Sequence, residues 1–267
     1  MKKIAFFFVL FTLIITACKS DYELVRTSGD SNRILEAANK YYDEKEYTKA
    51  ISLYEIVIPT MRGRPGGEEM SYKYADAHFL NRSFILASHY FKNFSDTYGN
   101  SALREDALFM TAYSNYKLSP RFKLDQSNSE KAIAGFQLFV NTYPNSERVQ
   151  QCNDLIDELR KKQEIKEFEA GKLYFNMKKY SAAVVTLENM LRAYPGSKDE
   201  EEARFLIVKA QYLLAKNSIY TVQEERFSDA LKSCDRFIKK YSESKYLDDV
   251  VGYRETSLEE IKQAQNG

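Results

Sequence analysis

Side chains that could carry out catalysis are few and scattered. The chain of 267 residues has two histidines, His78 and His89, and three cysteines, Cys18, Cys152 and Cys234. No metal-ligand spacing, nucleophile elbow or phosphate-binding glycine loop accompanies them. His78 replaces an aromatic residue at a regularly spaced helix position, which favours packing over a role as ligand or base. The sequence therefore predicts no enzyme, no metal and no cofactor.

Cys18 is the residue for which a specific covalent chemistry is indicated. A basic start, Met1–Lys3, precedes an apolar run from Ile4 to Ile15. This run is shorter than the about 20 residues that span a bilayer as a helix, so residues 1–17 are predicted to be a signal peptide. Ile15-Thr16-Ala17-Cys18 resembles a bacterial lipobox, in which the thiol is diacylated and the signal is removed. The acyl chains would anchor the protein stably to a membrane.

The residue after the cysteine indicates the membrane to which a lipoprotein is sorted. It is Lys19 rather than an aspartate, which under the usual sorting rule implies the outer membrane and its periplasmic face. Display on the cell surface is the alternative. Residues 18–30 are predicted to be a lipidated polar tether.

Charge and cysteine placement limit the partners. Lysine plus arginine (39) balances aspartate plus glutamate (38), so no basic field favours nucleic acid. Cys152 and Cys234 fall on apolar helix positions in distant repeats. Two separate buried thiols are favoured over a disulfide, although an oxidising compartment would permit one.

An apolar stripe recurs five times along the chain. Each stripe starts at an alanine and continues with apolar residues four and seven positions later, which is one face of a helix. The five alanines are Ala50, Ala87, Ala132, Ala183 and Ala230. Four stripes end in a tyrosine that opens the tetrapeptide YGNS, YPNS, YPGS or YSES. Glycine or proline there ends the helix, and the serine is predicted to cap the next one.

A first helix precedes each stripe. Its small residue lies twelve positions upstream of the alanine in three units and twenty upstream in two. The small residues are Ala38, Ala75, Ala112, Gly171 and Ala210. The longer spacings predict eight extra residues between the paired helices, around Pro120–Asn128 and Asn217–Arg226. This pattern resembles the tetratricopeptide consensus and predicts an all-α tetratricopeptide-repeat α-solenoid of five helix pairs.

The gaps between repeats suggest a division of the chain. The segment from Glu147 to Lys178 has no proline and is predicted to be one long linking helix of about 30 residues. It follows N-terminal repeats at 31–118 and lies within C-terminal repeats at 119–267. Gly63–Gly67 is predicted to be a turn, and Leu258–Ala264 a C-terminal capping helix.

Repeat proteins of this kind bind partners on the concave face, which their first helices line. The residues after the small position and after the aromatic position should point there. These are Asn39, Tyr42, Asp76, Phe79, Lys172 and Phe175. Aromatic side chains with polar neighbours suit an extended peptide that alternates apolar and polar residues. The competing interpretation is that these aromatic side chains only fill the space between repeats.

Together these features resemble the BamD family, lipoproteins of the machinery that folds β-barrels into the outer membrane. The stretches that carry the resemblance are 107–119 (ALFMTAYSNYKLS), 132–146 (AIAGFQLFVNTYPNS) and 174–197 (YFNMKKYSAAVVTLENMLRAYPGS). The resemblance implies a scaffold whose C-terminal repeats hold the barrel-forming subunit. It also implies that the N-terminal repeats receive the C-terminal strands of unfolded barrel clients, with accessory lipoproteins as further partners.

Two other functions fit the same repeats. One is an envelope lipoprotein that scaffolds cell-wall or division complexes, which the insertion in the third unit and the long helix disfavour. The other is a glycan-binding surface lipoprotein. Sugar platforms rely on tryptophan stacking, and the chain has no tryptophan, so this function ranks last.

Overall fold

The computed structural model describes residues 21–61 and 63–266. Cys18 and the predicted signal peptide lie outside the described residues. The described residues form twelve α-helices: α1 (Asp21–Arg26), α2 (Ser31–Asp43), α3 (Tyr47–Met61), α4 (Gly67–Leu80), α5 (Phe84–Thr97), α6 (Arg104–Leu118), α7 (Ser127–Thr142), α8 (Val149–Asn176), α9 (Tyr180–Ala193), α10 (Glu200–Lys216), α11 (Tyr220–Lys240) and α12 (Leu247–Asn266). None of these helices is long and apolar enough to cross a membrane.

The fold is all-α and consists of five tetratricopeptide-type helix pairs. The pairs are α2–α3, α4–α5, α6–α7, α8–α9 and α10–α11. The five aligned alanines are fully buried, and the residues four and seven positions after each are at most 2% exposed. The predicted apolar stripes therefore face the core. The long helix is also confirmed, since α8 runs over 28 residues.

The helices gather into two compact units. Among the described residues, unit 1 holds those up to Pro120 together with Gln126–Ile156, and unit 2 holds Arg121–Asp125 and those from Asp157 onward. The division inside α8 differs from the predicted boundary at 118/119. Helix α7 stays in unit 1 because its Phe136 and Phe139 rings lie 5.9 and 5.8 Å from Phe109 of α6.

Three predicted boundaries are corrected. Part of the predicted tether is helical, because Tyr22 and Val25 share one side of α1 and pack on the first core cluster. The insertion around Pro120 is a connection, but most of the second one extends α11, which starts at Tyr220. That segment contains no proline or glycine to stop a helix. The capping helix starts at Leu247 rather than Leu258.

The serine that closes each tetrapeptide links successive first helices. Its hydroxyl oxygen accepts the backbone N–H two residues later, as between Ser101 and Leu103 at 3.0 Å. The same hydroxyl donates to a glutamate of the preceding first helix. The pairs are Ser101–Glu68 (2.5 Å), Ser146–Glu105 (2.6 Å), Ser197–Glu164 (2.5 Å) and Ser244–Glu201 (2.6 Å). The prediction that this serine caps the next helix is therefore wrong, because the N-caps are Leu103 and Asp199, two residues later, and neither helix has a side-chain cap. The serine instead forms a turn before the helix and a hydrogen bond between repeats.

These serine–glutamate pairs correct the register of the fifth unit. The small residues Ala75, Ala112 and Gly171 each follow the paired glutamate by seven positions. The same offset from Glu201 leads to Val208 rather than the predicted Ala210. A second repeated contact agrees, because Lys172 lies 5.0 Å from the Phe168 ring and Lys209 lies 5.6 Å from the Phe205 ring.

Both described cysteines are buried thiols, as predicted. Cys152 lies in unit 1 and Cys234 in unit 2, and neither forms a disulfide. Burial raises the pKa of Cys152 to about 11 and that of Cys234 to about 12. Both thiols are therefore expected to react only when their own unit opens.

His78 packs in the core of the second helix pair, as predicted, and is 3% exposed. Its ring stacks on Tyr90 with centroids 5.1 Å apart and meets the edge of Tyr74 at 4.7 Å. Neither ring nitrogen has a hydrogen-bond partner among the described residues. Burial lowers the pKa of His78, and the charge of Glu55 opposes this only in part.

We expect unit 1 to lose stability as the pH falls below about 6.5, the pKa of histidine in an unfolded chain. Below that value the unfolded state takes up a proton that the buried ring does not. His78→Phe should remove this part of the pH dependence and stabilise unit 1 by about 1–3 kcal/mol at neutral pH, because no buried polar atom stays unpaired. Thermal melts between pH 5 and 8 measure both effects. The control is His89→Phe, because the His89 side chain on α5 is exposed. If the stability of His78→Phe kept the pH dependence of the wild type, the assignment to His78 would be contradicted.

Candidate interaction face

Three first helices of unit 1 present one row of side chains. The row contains the residues one and four positions after the small residue of α2, α4 and α6. We call it the first-helix face of unit 1: Asn39, Tyr42, Asp76, Phe79, Tyr113 and Tyr116. The first four were predicted as site residues.

Tyr42 and Asp76 connect α2 to α4. The Tyr42 hydroxyl donates a short hydrogen bond to the Asp76 carboxylate. Burial and this hydrogen bond raise the pKa of Tyr42. Burial also raises the pKa of Asp76, although the bond from Tyr42 acts in the opposite direction. The pair is half-buried and therefore both joins two repeats and offers a carboxylate on the face.

Asn39 turns partly toward its own repeat. Its side-chain oxygen accepts a hydrogen bond from the Tyr54 hydroxyl at 2.8 Å. Tyr54 is fully buried, as predicted. Since the amide oxygen is engaged, a ligand would meet Asn39 through its amide nitrogen, which is a donor.

Phe79 begins a run of aromatic rings from α4 to α6. Its centroid lies 5.8 Å from that of Tyr113, and Tyr113 stacks on Tyr116 at 5.7 Å. Lys117 lies 4.8 Å from the Tyr113 ring, a cation–π distance. The three rings are half-buried, and the contact between Phe79 and Tyr113 joins two repeats.

Unit 2 has an equivalent row of different charge. Lys172 bonds to Glu202 at 3.1 Å, and that hydrogen bond raises the pKa of the ammonium group. Phe175 lies 5.7 Å from Tyr180. The corrected register adds Lys209 and Tyr212 at the same two positions. The six predicted residues therefore divide into four in unit 1 and two in unit 2.

Four residues of these rows were missed from the sequence. Tyr113 and Tyr116 stand at the same offsets from Ala112 as Asp76 and Phe79 from Ala75, so that signal was present. Lys209 and Tyr212 were hidden by the two-residue error in the fifth unit. In the described part of the chain, no group of three histidine, cysteine or acidic residues is placed to hold a metal.

Three similar solved structures have low sequence identity to this chain. The structure titled "TPR2AB-domain:pHSP90-complex of yeast Sti1" is 14% identical, with a TM-score of 0.41, and the match covers 88% of this chain and 98% of that one. The MamA protein is 14% identical, with a TM-score of 0.32, over 80% and 95% of the two chains. A putative kinesin light chain of Podosopora anserina with TPR-like repeats is 12% identical, with a TM-score of 0.32, over 85% and 100%.

The family of this chain is identified by comparison of its sequence with family profiles. No curated protein matches the chain significantly. The profile of the YfiO family, described as outer membrane lipoprotein, matches residues 27–225 and 172–264. Because these matches cover most of its length, the chain belongs to the YfiO family of outer membrane lipoproteins.

Proposed function

We propose that this protein is a periplasmic scaffold and client-recognition lipoprotein of the β-barrel assembly machinery, anchored in the outer membrane through Cys18. Membership of an outer membrane lipoprotein family supports an assembly role at that membrane. The repeat fold is in general a protein-binding scaffold rather than an enzyme. In this proposal unit 2 holds the barrel-forming subunit and unit 1 receives the clients.

The observation that carries the client role is the aromatic row of unit 1. Phe79, Tyr113 and Tyr116 form a continuous, partly exposed run of rings across two neighbouring first helices. A β-strand points alternate side chains to the same side. Its apolar side chains can therefore pack against the rings, as the last strand of a membrane barrel, with an aromatic end, would do.

The polar groups beside the rings complement a strand's backbone. Asp76 offers carboxylate oxygens that accept backbone N–H groups, and Tyr42 already orients that carboxylate. The Asn39 amide nitrogen can donate to backbone carbonyls. Since an unpaired edge strand carries donors and acceptors in alternation, this mixture of groups suits an extended peptide better than a helix.

We expect Phe79→Ala to weaken binding of a strand peptide that ends in phenylalanine by about thirtyfold. Truncating an aromatic anchor at an interface often costs about 2 kcal/mol. Tyr42→Phe should weaken peptide binding less. This variant keeps the ring and removes only the hydrogen bond that orients the Asp76 carboxylate. The measurement is fluorescence titration of the labelled peptide against the purified protein in detergent, with a thermal melt of each variant.

Phe175→Ala is the matched control, because Phe175 holds the equivalent position in unit 2. It should leave affinity for the peptide unchanged. A Phe79→Ala variant that melts like the wild type and binds the peptide as tightly would refute the client site. The family assignment would stand in that case.

A further inference from the structure

A cavity within unit 2 is lined by three arginines. It lies between the second helices α9 and α11, over the first helix α10, and has a volume of about 380 Å³. The three arginines are Arg192, Arg204 and Arg236, one from each helix. None of these residues belongs to the first-helix face of unit 1 or to the equivalent row of unit 2.

The cavity has an apolar floor. Ile207, Val208 and Phe237 line it and are 6%, 1% and 1% exposed. Leu191 adds a partly buried apolar side chain. A ligand for this cavity therefore needs an apolar group as well as a charge.

Two of the three arginines have no acidic partner among the described residues. Arg236 donates only to neutral atoms, the Ser233 hydroxyl at 3.0 Å and the Lys232 carbonyl oxygen at 3.2 Å. For Arg192 no hydrogen bond or ion pair occurs in the described structure. Arg204 is paired through Nε with Glu200 at 2.8 Å, which Lys240 also neutralises.

One acidic group, Glu188, also lines the cavity. It lies one turn before Arg192 on α9 but forms no ion pair with it in the described structure. With Arg204 matched by Glu200, two unmatched positive charges face one unmatched negative charge. The cavity therefore favours an anion, and Glu188 reduces that preference.

The fold itself does not require these arginines. The equivalent cavity of unit 1, between α5 and α7 over α6, has a volume of about 580 Å³. Its lining includes Ile85, Leu138, Lys92, Asp96 and Lys131 but no arginine. Lys92 is paired with Asp96 at 2.7 Å, which leaves one lysine in that cavity. Arginine at this place is thus particular to unit 2.

We propose that the arginine-lined cavity of unit 2 binds a carboxylate flanked by an apolar side chain, contributed by a protein partner. Planar guanidinium groups match a carboxylate with paired hydrogen bonds. The buried floor accepts the apolar neighbour. The carboxylate comes either from an acidic side chain or from the C-terminus of a chain. This site is independent of the client role of unit 1.

The test uses small probes on the full protein in detergent. N-acetylphenylalanine represents a chain terminus, and N-acetyl-aspartyl-phenylalaninamide represents an acidic side chain. N-acetylphenylalaninamide lacks the carboxylate, and inorganic phosphate lacks the apolar group. Titration is followed through the NMR signals of the arginine Nε–H groups, since ligands of this size bind in about the millimolar range.

We expect at least one carboxylate probe to bind about tenfold more tightly than the amide and than phosphate. Arg192→Gln and Arg236→Gln should each weaken that binding about tenfold, and Glu188→Gln should strengthen it. Arg160→Gln on α8 removes the same charge outside the cavity and should change nothing. The two carboxylate probes, compared with each other, identify the source.

Three results would overturn the proposal. Equal binding of the amide would make the cavity a purely apolar site, and equal binding of phosphate would make it a general anion site. Binding that Arg192→Gln and Arg236→Gln leave unchanged, in variants with wild-type melts, would place the probe elsewhere.

Discussion

Replacing Phe139 by alanine is expected to lower the free energy of unfolding of unit 1 by about 3–5 kcal/mol. The ring is fully buried and packs against Phe109 of α6 at 5.8 Å and against Tyr143 at 5.6 Å. The loss combines the apolar transfer energy with the cavity that the rigid surroundings leave. Because the contacts lie in unit 1, unit 2 should keep its stability.

Buried thiols report on the two units separately. With Cys234→Ala the thiol of Cys152 follows unit 1, and with Cys152→Ala the thiol of Cys234 follows unit 2. The rate of thiol modification is measured across a denaturant series in each background. Leu138→Ala is the matched control. The Leu138 side chain is next to Phe139 on α7 but is 54% exposed, so its truncation should lower the free energy of unfolding by less than about 0.5 kcal/mol. Equal losses from Phe139→Ala and Leu138→Ala would show that the stripe of α7 is misassigned.

The repeat pattern was predictable because burial at a helix interface leaves a periodic record. Ala132, Phe136 and Phe139 are all fully buried, and their spacing alone places them on one helix face. The same logic identified the small residues where paired helices touch, such as Ala112 against Gly135. A β-carbon built on Gly135 would lie 2.8 Å from the Ala112 Cβ atom.

The small-residue position of the first helix was less predictable in the fifth unit, for a physical reason. Val208 holds the place that alanine or glycine holds elsewhere, while Ala210 is also fully buried. A search for small residues therefore chose the wrong one. The register is fixed by the hydrogen bond from Ser244 to Glu201, between residues far apart in sequence, and by the contact of Lys209 with the Phe205 ring.

The ends of elements depend on contacts that spacing does not record. Spacing showed extra residues near Asn217 but could not tell a longer connection from a longer α11. The candidate face is a similar case, because offsets gave Tyr42 and Asp76 separately. Their hydrogen bond across two repeats follows from the packing of α2 on α4. Packing and ligand binding therefore use the same side chains on this face.

Replacing Gly171 by leucine is expected to destabilise unit 2 by about 3 kcal/mol. Gly171 is the small residue of the fourth unit and packs against Leu187 of α9. A β-carbon at Gly171 would lie 2.5 Å from the Leu187 Cδ2 atom and 2.6 Å from its Cγ atom. Leu187 is fully buried, so it cannot swing out of the way without opening the interface between α8 and α9.

Gly252→Leu is the matched control in the same unit. Gly252 lies in α12, where an added β-carbon meets nothing within 4 Å. Leucine has a higher helix propensity than glycine by about 0.5–1 kcal/mol, so this substitution should stabilise unit 2 slightly. The two glycine substitutions are therefore expected to have opposite signs. Denaturation followed through the Cys234 thiol measures both, and equal signs would contradict the close approach at Gly171.

A compensating variant separates this contact from a general effect of leucine. Leu187→Ala alone should cost about 2–5 kcal/mol, because it opens a cavity. Combined with Gly171→Leu, it moves a side chain of similar volume from α9 to α8, which cores tolerate better than a net change in volume. The double variant should therefore be more stable than the Gly171→Leu variant alone. If the two losses simply add, residues 171 and 187 do not share one space, and the pairing of α8 with α9 through the small-residue position is wrong.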